Sequence, residues 1–74
     1  MTKHQFRWMF VEHGQRRLDP HWHQTPESAG KCARRELRYT VDGTAHLTVE
    51  LCDNAGFITT SELDRFADTV GAER

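Results

Sequence analysis

The run from Leu37 to Val70 constrains the fold most, because strand, turn, strand, loop and helix signals follow one another directly. Leu37–Val41 and Ala45–Leu51 alternate apolar and polar residues around Asp42-Gly43, which predicts a hairpin. A two-residue Asp42-Gly43 loop sets Leu37, Tyr39 and Val41 on the face opposite Leu47, Val49 and Leu51, since one step of register reverses every side chain. A three-residue loop, Val41-Asp42-Gly43 with Gly43 left-handed in a bulge, gathers Leu37, Tyr39, Ala45, Leu47, Val49 and Leu51 on one face, and is the expected register. Cys52–Phe57 reads as a loop. Beyond it, Thr59 is placed to cap a helix over Thr60–Val70, Glu62 completes a capping box, and Ile58 and Leu63 are spaced for a hydrophobic staple. Leu63, Phe66, Ala67 and Val70 share one helical face, and Gly71 ends the helix.

Upstream, Gln5–Glu12 is aromatic and β-branched enough for a strand. Alternation places Phe6, Trp8 and Phe10 on one face and Arg7, Met9 and Val11 on the other. The expectation is an inner strand with the aromatic face in the core and Met9 and Val11 partly covered; the alternative is an exposed apolar patch that a partner covers. His13-Gly14 is a turn signal, Gln15–Leu18 a short returning strand, and Asp19-Pro20 a second break. Residues 13–24 show no clear periodicity. Thr25-Pro26-Glu27 then starts a helix, with Thr25 as cap and Pro26 at the first helical position. Ala29, Cys32, Ala33 and Leu37 fall on one side and Lys31, Arg34, Arg35 and Arg38 on the other. Gly30 inside this helix costs about 1 kcal/mol relative to Ala. Glu36 falls on the apolar side, so the helix is expected to end near Arg35.

Seventy-four residues make one domain, 1–74, with a small core and little chain for a deep cleft. The expected architecture is a two-layer α+β fold: an antiparallel sheet of three or four strands with two helices packed on one face, in the order β-(β)-α-β-β-α. No segment is long and apolar enough for a membrane span or a signal core, and two cysteines, Cys32 and Cys52, fit buried thiols in a reducing compartment. The expected location is the cytoplasm.

Net charge is −1, but residues 1–38 carry eight Lys/Arg against four Asp/Glu, and residues 39–74 two against seven. This polarity suits electrostatic recognition or self-association. Five histidines and two cysteines are enough for zinc, yet His21-x-His23 is the only tight ligand pair and a structural site needs a second, so no metal or other cofactor is assigned. Asp53, Gly56 and Glu62 match an EF-hand loop superficially, but Leu51 and Ala55 occupy ligand positions, so calcium is rejected. No serine or cysteine stands in a recognisable nucleophile setting and there is no phosphate-binding glycine loop, so the chain is not expected to be an enzyme.

Surfaces remain. Trp22, flanked by two histidines, is the best anchor for a protein partner, and Lys31, Arg34, Arg35 and Arg38 form a basic stripe. The expected function is a non-catalytic intracellular binding protein that docks on a larger macromolecule through these five residues. Its size suits a small regulator or inhibitor of bacterial, phage or mobile-element origin. The alternative is a nucleic-acid-binding module using the basic helix 26–38, with its arginines on phosphates. A small zinc-supported domain ranks third. An exposed sheet edge also offers a route to a homodimer.

Overall fold

A computed structural model of the chain describes residues 3–39 and 47–71, with the side chains of Arg38 and Tyr39 excepted. Five elements follow in the order β-β-α-β-α: β1 (Phe6–Glu12), β2 (Gln15–Leu18), α1 (Pro26–Tyr39), β3 (Leu47–Asp53) and α2 (Thr60–Val70). The strands form one open antiparallel sheet in the order β2-β1-β3. This is the expected small α+β fold, with β1 as the inner strand.

The β1–β2 hairpin turns on His13 and Gly14, which both take positive φ (51° and 78°). Two left-handed residues in a two-residue loop match the twist of the flanking strands, and Glu12 pairs with Gln15 as that turn requires. Phe6, Trp8 and Phe10 point to one face of the sheet and are buried there. Leu51, opposite Trp8, joins them. Ala29 and Ala33 of α1 and Phe66 of α2 complete the core, so both helices lie on the same face. The small alanines let α1 approach the Trp8–Phe10 stack, whose ring centroids are 4.2 Å apart.

One part of the expected topology is corrected. α1 does not stop near Arg35 but runs on through Tyr39, so Leu37–Tyr39 are helical and cannot form the first strand of a hairpin. The reason lies across the molecule. Arg17 of β2 reaches over the Trp8 and Phe10 rings and donates a hydrogen bond to the Glu36 carboxylate. With that partner, Glu36 no longer forces the helix to end. β3 pairs instead with β1, in register from Phe6 opposite Asp53 to Glu12 opposite Leu47. Cys52 and Asp53 therefore belong to a strand and not to the following loop. The remainder of the expected strand 37–41, the Asp42-Gly43 turn with its three-residue register, and Ala45 and His46 lie outside the described residues.

α2 begins as expected. The Thr59 hydroxyl accepts the Glu62 N–H at 3.2 Å, and the Glu62 carboxylate accepts the Thr59 N–H at 2.9 Å. Ile58 packs against the core, but Leu63 stays 45% exposed, so the apolar face is centred on Phe66 and Val70 and not on Leu63. Gly71 ends the helix with φ −86°, without the left-handed turn. At the helix crossing, a Cβ on Gly30 would lie 2.8 Å from Thr69 Cβ and 3.1 Å from the Phe66 carbonyl oxygen. Gly30 thus allows α1 and α2 to pack closely, which accounts for a residue that weakens the helix locally. Arg65 of α2 ties the same pair of helices by a two-pronged contact to Glu27, at 2.8 and 2.7 Å.

Candidate functional site

The least periodic stretch of the sequence forms the most organised polar cluster. After β2 the Asp19 N–H donates to the Trp8 carbonyl (3.1 Å), and four residues later His23 exchanges two backbone hydrogen bonds with Phe6, both 2.7 Å. Both ends of the loop are therefore clamped to β1. This carries the Asp19 carboxylate into the interior, where it is fully buried.

A buried carboxylate needs partners, since leaving it bare costs several kcal/mol. Oδ1 accepts the His21 backbone N–H at 2.9 Å, and Oδ2 accepts from His23 Nε2 at 2.8 Å. The His21 ring, mostly in solvent, holds Nδ1 3.6 Å from Oδ1. On its other side the His23 ring meets the Ser28 hydroxyl, Nδ1 to Oγ 3.1 Å. With Nε2 protonated toward Asp19, Nδ1 accepts the Ser28 proton. Cys32 of α1 completes the cluster. Its sulfur accepts the Trp8 indole N–H at 3.2 Å, and single ligand atoms of Asp19, His23 and Cys32 lie within 4.8 Å of one another. Burial pushes the Cys32 thiol above its ordinary 9.0; the Trp8 donor works against this and the neighbouring Asp19 carboxylate adds to it. The cluster opens into a cleft of about 370 Å³ whose rim carries Lys31 and Arg35.

Ser28, His23 and Asp19 have the connectivity of a proton relay from hydroxyl to imidazole to buried carboxylate. The helix cap beside them uses the donors such chemistry needs. The Ser28 N–H is taken by Thr25 Oγ1 (3.1 Å) and the Ala29 N–H by the Thr25 carbonyl (3.2 Å). The backbone groups next to Ser28 are thereby occupied and do not form an oxyanion hole.

The second surface is the sheet face turned away from the helices. Arg7, Met9 and Val11 of β1 point there, with Arg16 and Leu18 of β2 opposite Val11 and Met9, and Cys52 and Glu50 of β3 opposite Arg7 and Met9. Leu18 is 46% exposed and Trp22 40%. The Arg7 guanidinium lies 4.3 Å from the Trp22 ring centroid, which lays the indole on this face. Arg7 Nε is buried with no hydrogen-bond partner among the described residues. Among those residues no element covers Met9, Val11 and Leu18.

The five residues singled out from sequence are thus divided. Trp22 lies on the open sheet face. Lys31 and Arg35 stand exposed at the rim of the Asp19 cleft. Arg34 is half-buried and turns its guanidinium toward α2, donating to the Thr69 carbonyl at 3.5 Å. The side chain of Arg38 lies outside the described residues. Asp19, Ser28 and Leu18 were not marked by any local motif; the alternation of β1 put Arg7, Met9 and Val11 on one face but did not show that Leu18 and Arg16 of β2 join them. Cys32 and Cys52 are free thiols, one under α1 and the other on the opposite face of the sheet. No helix among the described residues is long and apolar enough to cross a membrane.

Comparison with family models, with characterised proteins and with solved structures finds no match to this chain.

Proposed function

We propose that the protein is a non-catalytic binding domain that docks a partner protein on the open face of its sheet. The observation that carries this reading is the face itself. Two helices cover one side of the sheet, while Met9, Val11, Leu18 and Trp22 stand together on the other with Arg7 and Arg16 beside them. Monomeric proteins rarely leave such a contiguous apolar surface without a use. Trp22 already rests on the Arg7 guanidinium, which favours one rotamer before binding and lowers the ordering entropy to be lost. Among the described residues, Arg7 and Arg16 against Glu50 select an acidic partner surface with apolar residues at its centre. A partner carboxylate would also supply the acceptor that Arg7 Nε lacks.

The alternative, nucleic acid on the basic helix, draws on fewer side chains than the sequence offers. Arg34 leans on α2, which leaves Lys31 and Arg35 as the accessible pair among the described residues. A small regulator or inhibitor acting inside the cell fits a domain that works by occupying a surface. The occupied donors at the start of α1 favour binding over hydrolytic chemistry.

Capture from source lysate by immobilised protein tests the reading. The double variant Leu18→Glu/Trp22→Ala is expected to lose an acidic partner that wild type retains, while Lys31→Glu/Arg35→Glu keeps it. The reverse pattern, together with salt-sensitive retention of nucleic acid, replaces the docking reading with the alternative.

A further inference from the structure

We propose that Asp19, His23 and Cys32 bind one Zn2+ ion, with His21 closing the shell as the fourth ligand. A carboxylate oxygen, an imidazole nitrogen and a thiolate sulfur converge from two segments of chain, the loop after β2 and the buried side of α1. Mixed oxygen, nitrogen and sulfur donors in a four-ligand set suit Zn2+ better than the oxygen-seeking Mg2+ or Ca2+. Bond lengths of about 2.0–2.3 Å put tetrahedral ligands about 3.5 Å apart. The present spacings bracket that value: Asp19 Oδ2 and His23 Nε2 are 2.8 Å apart, and the three ligand atoms fall within 4.8 Å. Movements on the order of 1 Å close the site.

Three features outside the ligand shell point the same way. The His23 ring is held from behind by Ser28. With the Nε2 lone pair on the ion, the ring proton sits on Nδ1 and is donated to Ser28 Oγ, the partner that orients a metal-bound imidazole. The Trp8 indole N–H, fully buried, is aimed at Cys32 Sγ and stabilises negative charge on sulfur. The backbone at Asp19 and His23 is fixed to β1 by hydrogen bonds at both positions, so the ligands are preorganised on the sheet. Charge also balances. Asp19 and the Cys32 thiolate neutralise the ion, so the basic rim formed by Lys31 and Arg35 faces an uncharged centre. Binding releases the proton of the Cys32 thiol to solvent, while neutral His23 keeps its single ring proton, now on Nδ1, with no redox step. His21 reaches the site from the exposed side by a side-chain rotation, its Nδ1 being 3.6 Å from Asp19 already.

Cobalt titration of the chelator-treated full chain tests the site. Wild type is expected to take up one equivalent of Co2+, with a thiolate-to-metal charge-transfer band and tetrahedral visible bands that Zn2+ bleaches. Cys52→Ser keeps the band; Cys32→Ser abolishes it. Ser28→Ala weakens Zn2+ binding by about 10–100-fold in competition with a chromophoric chelator, as loss of a ligand's orienting partner does. His21→Ala weakens it as well, and unchanged affinity in that variant overturns the assignment of His21. A measurement on wild type alone covers the case in which Cys32→Ser does not fold: Zn2+ is expected to protect Cys32, and not Cys52, from alkylation as read by peptide mass. Absence of the charge-transfer band in wild type, or equal alkylation of Cys32 with and without Zn2+, overturns the proposal.

Discussion

At the scale of single residues, the polar side chains that matter are those whose partners lie far away in sequence. Asp53 shows how this translates into pH dependence. Burial alone raises its carboxyl, but the His4 ring (Nε2 to Oδ2 2.8 Å) and the backbone N–H groups of Phe57 and Ala55 more than offset it, leaving it below its ordinary 3.8. Glu27, chiefly through Arg65, and Glu62, chiefly through the Thr59 N–H, are also held below their ordinary 4.5. A carboxylate depressed in the folded state stabilises the fold fully above its unfolded value, and the contribution disappears as pH falls through the folded one. Thermal stability is therefore expected to decline from about pH 4.5 downward. Asp53→Asn should flatten the part of that slope below its ordinary 3.8. A variant with the same acid slope as wild type contradicts the role given to Asp53. Of these contacts, only the Thr59–Glu62 box was legible in the sequence, because both partners lie within one helical turn. His4 with Asp53, and Arg17 with Glu36, join positions 49 and 19 apart, which periodicity does not see.

At the scale of elements, the same distinction separates α2 from α1. The start of α2 is set by a local cap and came out at the expected residue. α1 runs on past Arg35 with Glu36 held by Arg17 from another element, so the local reading of Glu36 as a helix stop failed. The first strand of the expected hairpin failed with it, because Leu37, four residues after Ala33, continues the apolar face of the helix. Gly30 is the opposite case, a helix-weakening residue whose use appears only in the α1–α2 crossing. Gly30→Ala improves helix propensity by about 1 kcal/mol yet inserts a methyl group into contacts of 2.8–3.1 Å with Thr69 and Phe66. Overpacking of this kind costs about 1–3 kcal/mol, so a net loss of stability is expected in chemical denaturation. A variant as stable as wild type, or more so, shows that the crossing is looser than described.

For the molecule as a whole, the aromatic alternation of β1 determines how the surfaces are distributed. Phe6, Trp8 and Phe10 draw both helices to one face, and everything on the alternate positions is left for the other. The candidate site was half legible for that reason. Trp22 was named from sequence and a patch around Met9 and Val11 stood there only as the alternative to their being partly covered, whereas the Asp19 cluster depends on loop residues being clamped to β1 and on Cys32 arriving from α1. The central claim is that the open face, and no other apolar surface, receives a partner. Leu18 and Leu63 provide a matched pair, 46% and 45% exposed, with Leu18 on the open face and Leu63 on α2. A photo-crosslinking amino acid placed at one or the other position in otherwise wild-type protein tests the claim directly in source lysate. The account predicts one dominant adduct to an acidic partner from position 18 and none from position 63. The same adduct from both positions, or an adduct from position 63 alone, contradicts it.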